Sequence, residues 1–150
     1  VVTASALGKT AASQTAVTTD ELIDLIHAVD PAYRGSPRVR FMFNDTVFAA
    51  IRKLKGGDGQ YLWQPRVEMG AQPTLLGYAY TVNQAMPAMT SGLKPIIFGD
   101  FGKYYVRKVG SPIVAAIQDK DFWPGFGIAG YIRFDGELAD TAAVKHLIMA

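Results

Sequence analysis

The sequence contains no cysteine. Disulfides and thiolate metal sites are therefore excluded, and folding in a reducing compartment is tolerated. Charge of one sign is also scarce. The net charge is only +2, with Lys and Arg spread along the chain, whereas a dedicated nucleic-acid binder concentrates its bases on one face. A membrane span is missing too: residues 69 to 93 carry no charge, but Pro73, Asn83, Gln84 and Pro87 interrupt them well short of the unbroken apolar length a bilayer requires. The start has no basic segment followed by a solid apolar run, so nothing reads as a signal peptide. Val1 stands where an initiator methionine would, which points to a fragment.

What remains is the composition of a folded protein. Apolar residues make up 49% and charged residues 19% of 150 residues, enough to bury one core or two small lobes. The first 18 residues are rich in Ala, Thr and Ser and suit a strand and loop packed against something upstream. Thr18 and Glu21 have capping-box spacing. Leu22, Leu25, Ile26 and Val29 then give a helix one apolar face, and Asp30-Pro31 is expected to end it. Val39, Phe41 and Phe43 alternate with Arg38 and Arg40 as in a half-buried strand. Asn44 or Asp45 caps a second helix with Val47, Phe48, Ile51 and Leu54 inward. Arg52, Lys53 and Lys55 suit its C-terminal dipole, and Gly56 to Gly59 form a turn.

Beyond that turn the pattern is mainly strands: Leu75–Val82, Pro95–Phe98, Lys103–Val109, Ile113–Ile117 and Phe126–Phe134. In the third, Tyr104 and Val106 are expected inward and Arg107 outward. In the last, Phe126, Ile128, Ile132 and Phe134 share a face opposite Tyr131 and Arg133. A turn at Asp135-Gly136 and a helical turn from Asp140 through Val144 are expected to follow. The whole is α+β.

Motifs for chemistry do not hold up in context. Gly125 to Gly130 matches the dinucleotide fingerprint literally, but that fingerprint works only between a strand and a helix with an acidic residue about 20 positions on. Pro124 precedes it, a strand follows it, and Lys145 stands at the acidic position. His27 and His146 lack an orienting partner for general-base work and make a poor metal set without cysteine. No serine lies in a nucleophile-elbow context. Asp119 and Asp121 flank Lys120 as in an exposed turn. Lys103 to Lys108 mixes bases with aromatics but misses the RNA-recognition signature. Asn44-Asp45-Thr46 is a formal glycosylation sequon better explained as a helix cap. No catalytic residue, cofactor or metal site is expected.

Several stretches, in order, resemble the major capsid proteins of tailed bacteriophages, the family with the Hong Kong 97 fold. They are Asp20 to Arg34, Phe43-Asn44 opening a helix that ends in Leu54-Lys55, Gly59 to Pro65, Leu75 to Tyr78, and the Met86-Pro87 loop. Phe98-Gly99-Asp100-Phe101-Gly102-Lys103-Tyr104-Tyr105-Val106-Arg107, then Gly127 to Phe134, Asp135-Gly136 and Asp140 to Leu147 complete the series. The resemblance implies a Hong Kong 97-like fold lacking the N-terminal arm and extended loop. Residues 1–36 and 110–138 would belong to a peripheral domain with a spine helix, and 37–109 and 139–150 to an axial domain. It implies a structural virion protein, not an enzyme, assembling in the host cytoplasm into pentamers and hexamers of an icosahedral shell around DNA. The subunit-contact loop at the capsomer centre would be Asn83, Gln84, Ala85, Met86, Pro87, Ala88, Met89, Thr90, Ser91 and Gly92. That loop is uncharged, so copies can approach one another without repulsion.

Implied partners are further copies of itself, with scaffolding, portal and maturation-protease proteins, non-specific contact with DNA, and no membrane. A chain without the arm and loop is not expected to close shells alone, since stable interfaces bury on the order of 1,000 Å². One alternative is an encapsulin-type nanocompartment shell. Another is a small-ligand-binding or enzymatic α+β domain with a cleft at Tyr61, Trp63 and Tyr78.

Overall fold

A computed structural model describes residues 1–62 and 74–150. Among the described residues, eight strands and three α-helices follow one another as β1 (Ala6–Thr10), α1 (Thr19–His27), α2 (Pro31–Arg34), β2 (Val39–Phe43), α3 (Asp45–Arg52), β3 (Thr74–Leu75), β4 (Tyr78–Val82), β5 (Ile96–Asp100), β6 (Tyr104–Ile117), β7 (Gly127–Leu138) and β8 (Val144–Ile148). They fall into two compact units. One holds Val1–Tyr104 with Leu138–Ala150, the other Tyr105–Glu137.

The larger unit is built on a six-stranded mixed sheet of order β1-β8-β5-β2-β4-β3. β1–β8 and β2–β4 are parallel pairs; β5 runs antiparallel to both β2 and β8. The alternation expected for residues 38–43 is realised: Val39, Phe41 and Phe43 are buried while Arg40 and Met42 are half-buried. Phe41 lies directly opposite Phe98 on β5, with ring centroids 4.5 Å apart, and Tyr78 meets Phe98 edge-on at 5.0 Å. Such aromatic pairs add to the burial that drives the sheet together. The central strand β5 is buried at every position.

α1 covers this sheet with the apolar face the sequence announced: Leu22, Leu25, Ile26 and Val29 are all buried. Its capping box is present in both directions, Glu21 N donating to Thr18 Oγ1 and Thr18 N to Glu21 Oε2. Glu21 Oε1 also accepts from Ala12 N at 2.6 Å, so one buried carboxylate anchors the loop between β1 and α1. α1 stops at His27, and Pro31, expected only as a terminator, opens α2 at its first position behind an Asp30 N-cap. That is where proline's missing N–H does no harm.

Several expectations are corrected. Residues 75–82 are not one strand. Leu76 and Gly77 have φ of 50° and 85°, a left-handed pair that folds β3 back onto β4. The strands expected at 103–109 and 113–117 are one, β6. Asp135-Gly136 is not a turn but part of β7. Asp140 caps a turn, its Oδ1 accepting from Ala142 N and its carbonyl from Ala143 N at 3.3 Å, but that turn ends before Val144, and residues 144–148 enter the sheet between β1 and β5. The sheet satisfies more backbone groups there than a single helical turn could.

The smaller unit is a two-stranded ribbon of β6 and β7, joined through a 3-10 turn at Lys120–Phe122 that Asp119 caps. Residues 1–36 share the larger unit's sheet, and the ribbon forms a unit by itself.

Candidate assembly surfaces

Two surfaces stand out, the loop after β4 and the ribbon. In the loop, Gln84, Ala85, Ala88, Thr90, Ser91 and Gly92 are exposed, Asn83, Pro87 and Met89 half-buried, and Met86 buried. The backbone is tethered throughout. Asn83 N donates to Phe43 O at 2.8 Å and Met86 N to Asn83 O at 3.0 Å, and at the far end Gly92 N reaches Met149 O at 3.2 Å. Asn83 Oδ1 accepts from Ala85 N. Asn44, the cap of α3, donates from Nδ2 to the carbonyls of Gln84 and Met86. The capping half of Asn44's role was legible from the sequence. The second half was not, because its partners lie 40 and 42 residues away.

The ribbon departs most from expectation. Val106, expected inward, is 65% exposed, and the supposed buried face of β7 lies open: Ile128 is 74% and Phe134 71% exposed, with Phe126 and Ile132 also exposed. Ile113, Val114 and Tyr131 are exposed as well, and Trp123 beyond the 3-10 turn is 83% exposed. Within this unit there is no second layer to cover either face. A lone two-stranded ribbon is marginal in water, and large exposed apolar patches are features of interaction sites.

The residues weighed for chemistry are otherwise occupied. His146 is buried, its Nδ1 3.0 Å from Ser5 Oγ, which also donates to Val2 O. Burial pushes its pKa down, and Lys94 and Lys145 add to the effect. His27 Nδ1 faces Arg34. The hydrogen bond from Tyr33 holds the Asp140 carboxyl below its usual range and raises the Tyr33 phenol, fastening α2 to the β7–β8 turn. Gly127 begins β7 with no helix after it, so the fingerprint has no phosphate-binding terminus. Of the proposed aromatic cleft, Tyr78 packs on Phe98, Tyr61 lies exposed beside Lys55, and Trp63 lies outside the described residues. Among the described residues no cluster of His, Asp or Glu could hold a metal, and no helix is long and apolar enough to cross a membrane.

Comparison with known proteins agrees with this geometry. The sequence model of the phage capsid family matches residues 2–149. Among solved structures, the capsid of an empty GTA particle matches with TM-score 0.75 and 27% identity, over 94% of this chain and 49% of that one. The capsid of the native GTA particle gives 0.77 and 26%, over 94% and 48%. A chain of Gordonia phage Cozz gives 0.61 and 16%, over 98% and 50%, a likeness of fold alone. The chain therefore spans about half the length of the solved chains it matches. No curated protein matches it.

Proposed function

This chain belongs to the phage capsid family, and from that premise we propose that the protein is a major head subunit whose copies close into pentamers and hexamers of an icosahedral shell around DNA. The observation that carries the reading is the ribbon Tyr105–Glu137, whose apolar side chains lie open within a unit that has no core of its own. Covering that surface with neighbouring protein is what a shell subunit does and what a free-standing enzyme domain has no need of. We assign the protein no catalytic role.

The loop of residues 83–92 is taken as the contact around the capsomer centre. It is uncharged, and its exposed positions are small or polar, so five or six copies can crowd one axis without like-charge repulsion. Residues 37–109 with 139–150 are assigned to the axial part, and residues 1–36 with 110–138 to the peripheral part. Scaffolding, portal and protease partners, assembly in the host cytoplasm and non-specific contact with DNA belong to the same proposal.

Electron microscopy of the intact protein expressed alone tests it. Icosahedral shells are expected. Monodisperse monomers at high concentration would sink the reading, and shells filled with a protein cargo would replace it with a nanocompartment.

A further inference from the structure

We propose that Asn44 is the positioning residue for the contact loop, its single amide group coupling the start of α3 to the backbone of Gln84 and Met86. The inference rests on the reading of residues 83–92 as a contact between copies, and it says what gives that contact its shape.

Asn44 Oδ1 accepts from Thr46 N at 3.0 Å and Thr46 Oγ1 at 3.3 Å. Its Nδ2 donates to Met86 O at 3.0 Å and Gln84 O at 3.3 Å. Carbonyl oxygens only accept, so these partners fix which end of the amide faces the loop. A helix cap needs only an acceptor, and Asp or Ser caps about as well as Asn. The cap therefore does not explain why the residue is asparagine. The loop does, since asparagine alone among the good caps also carries two N–H donors.

Asn44 holds the loop between its end tethers. Asn83 N is bound to Phe43 O, one residue before the cap, and Gly92 N to Met149 O. The Met86 side chain is buried, and Gln84, Ala85 and Ala88 remain exposed. A surface ordered before association loses less entropy on binding. In a ring every copy presents the same loop, so a misplaced loop weakens each contact of the ring together.

The test uses the intact protein. Asn44→Asp keeps the cap but sets a carboxylate against two carbonyl oxygens; Asn44→Ser keeps a cap and replaces the two N–H donors with one shorter hydroxyl, without adding charge. Dissociated subunits of both should melt close to the wild type, while the amides of Ala85 and Met86 exchange at least about tenfold faster, the order expected from losing the hydrogen bonds to Gln84 O and Met86 O. The yield of closed particles should fall at least about tenfold. Ala88→Glu and Ser91→Glu, which charge the exposed side of the loop, test the underlying reading separately. Normal assembly of those two would defeat the loop as a contact. If they block assembly while both Asn44 variants assemble normally, or keep wild-type protection at Ala85 and Met86, the positioning role is overturned. Loss of the fold in both Asn44 variants would overturn it too, because the residue would then serve folding and not loop shape.

Discussion

His146 is held neutral by its surroundings: it is buried against Ser5 and flanked by the positive Lys94 and Lys145. Its folded-state pKa lies below its unfolded value, so the unfolded chain binds the proton first. The stability it contributes is complete above about pH 6.5 and is lost as pH falls below that. Urea midpoints should drop between pH 7.5 and 5.5, and His146→Gln should flatten that slope; an unchanged slope would refute the assignment. Gly99 is a second residue-scale constraint. Its φ is 152°, and a Cβ there would lie 2.2 Å from Ala143 O and 2.6 Å from Val144 Cα. Gly99→Ala should cost roughly 2–4 kcal/mol in denaturant unfolding. The sequence pattern ends the strand at Phe98, so neither the place of Gly99 within β5 nor the backbone that crosses it was legible. The Thr18–Glu21 box was visible because both partners lie within one turn.

At the scale of elements, α1 depends more on Glu21 than on Thr18. The Glu21 carboxylate accepts from both Ala12 N and Thr18 N, whereas Thr18 Oγ1 accepts from one amide. Thr18→Ala should cost about 1 kcal/mol. Glu21→Ala, which strips two part-buried donors, should cost roughly 2–4 kcal/mol. Equal losses in paired thermal melts would contradict that ordering. α1, β2 and α3 could be read from the chain because 3.6- and 2-residue periods are local signals. β8 could not: a short apolar segment after Asp140 suits one helical turn equally well, and what makes it a strand is its placement between β1 and β5, more than 130 and more than 40 residues away in sequence respectively. The β3–β4 turn was hidden because Leu76 takes a left-handed conformation more usual for Asn or Gly.

Across the whole molecule, burial is very uneven. The larger unit contains the aromatic core of Phe41, Phe43 and Phe98, while the ribbon's apolar side chains lie open. Amides of residues 105–137 should therefore exchange fast in dissociated subunits and become protected in assembled particles, with core amides slow in both states. Protection that is identical in both states would mean the ribbon is not an assembly surface. The apolar alternation of β6 and β7 was legible, and so was the resemblance to capsid proteins. That the faces lie uncovered was not, because alternation reports which residues want cover and not whether the same chain supplies it.

The ribbon departs and returns through a single doorway, for Ala139 N is bonded to Lys103 O at 3.0 Å and the sheet continues on either side. Thirty-three residues can thus be lengthened, trimmed or exchanged for a tight turn without rethreading any other strand. The reach of this attachment can therefore change while the strand order of the sheet stays the same.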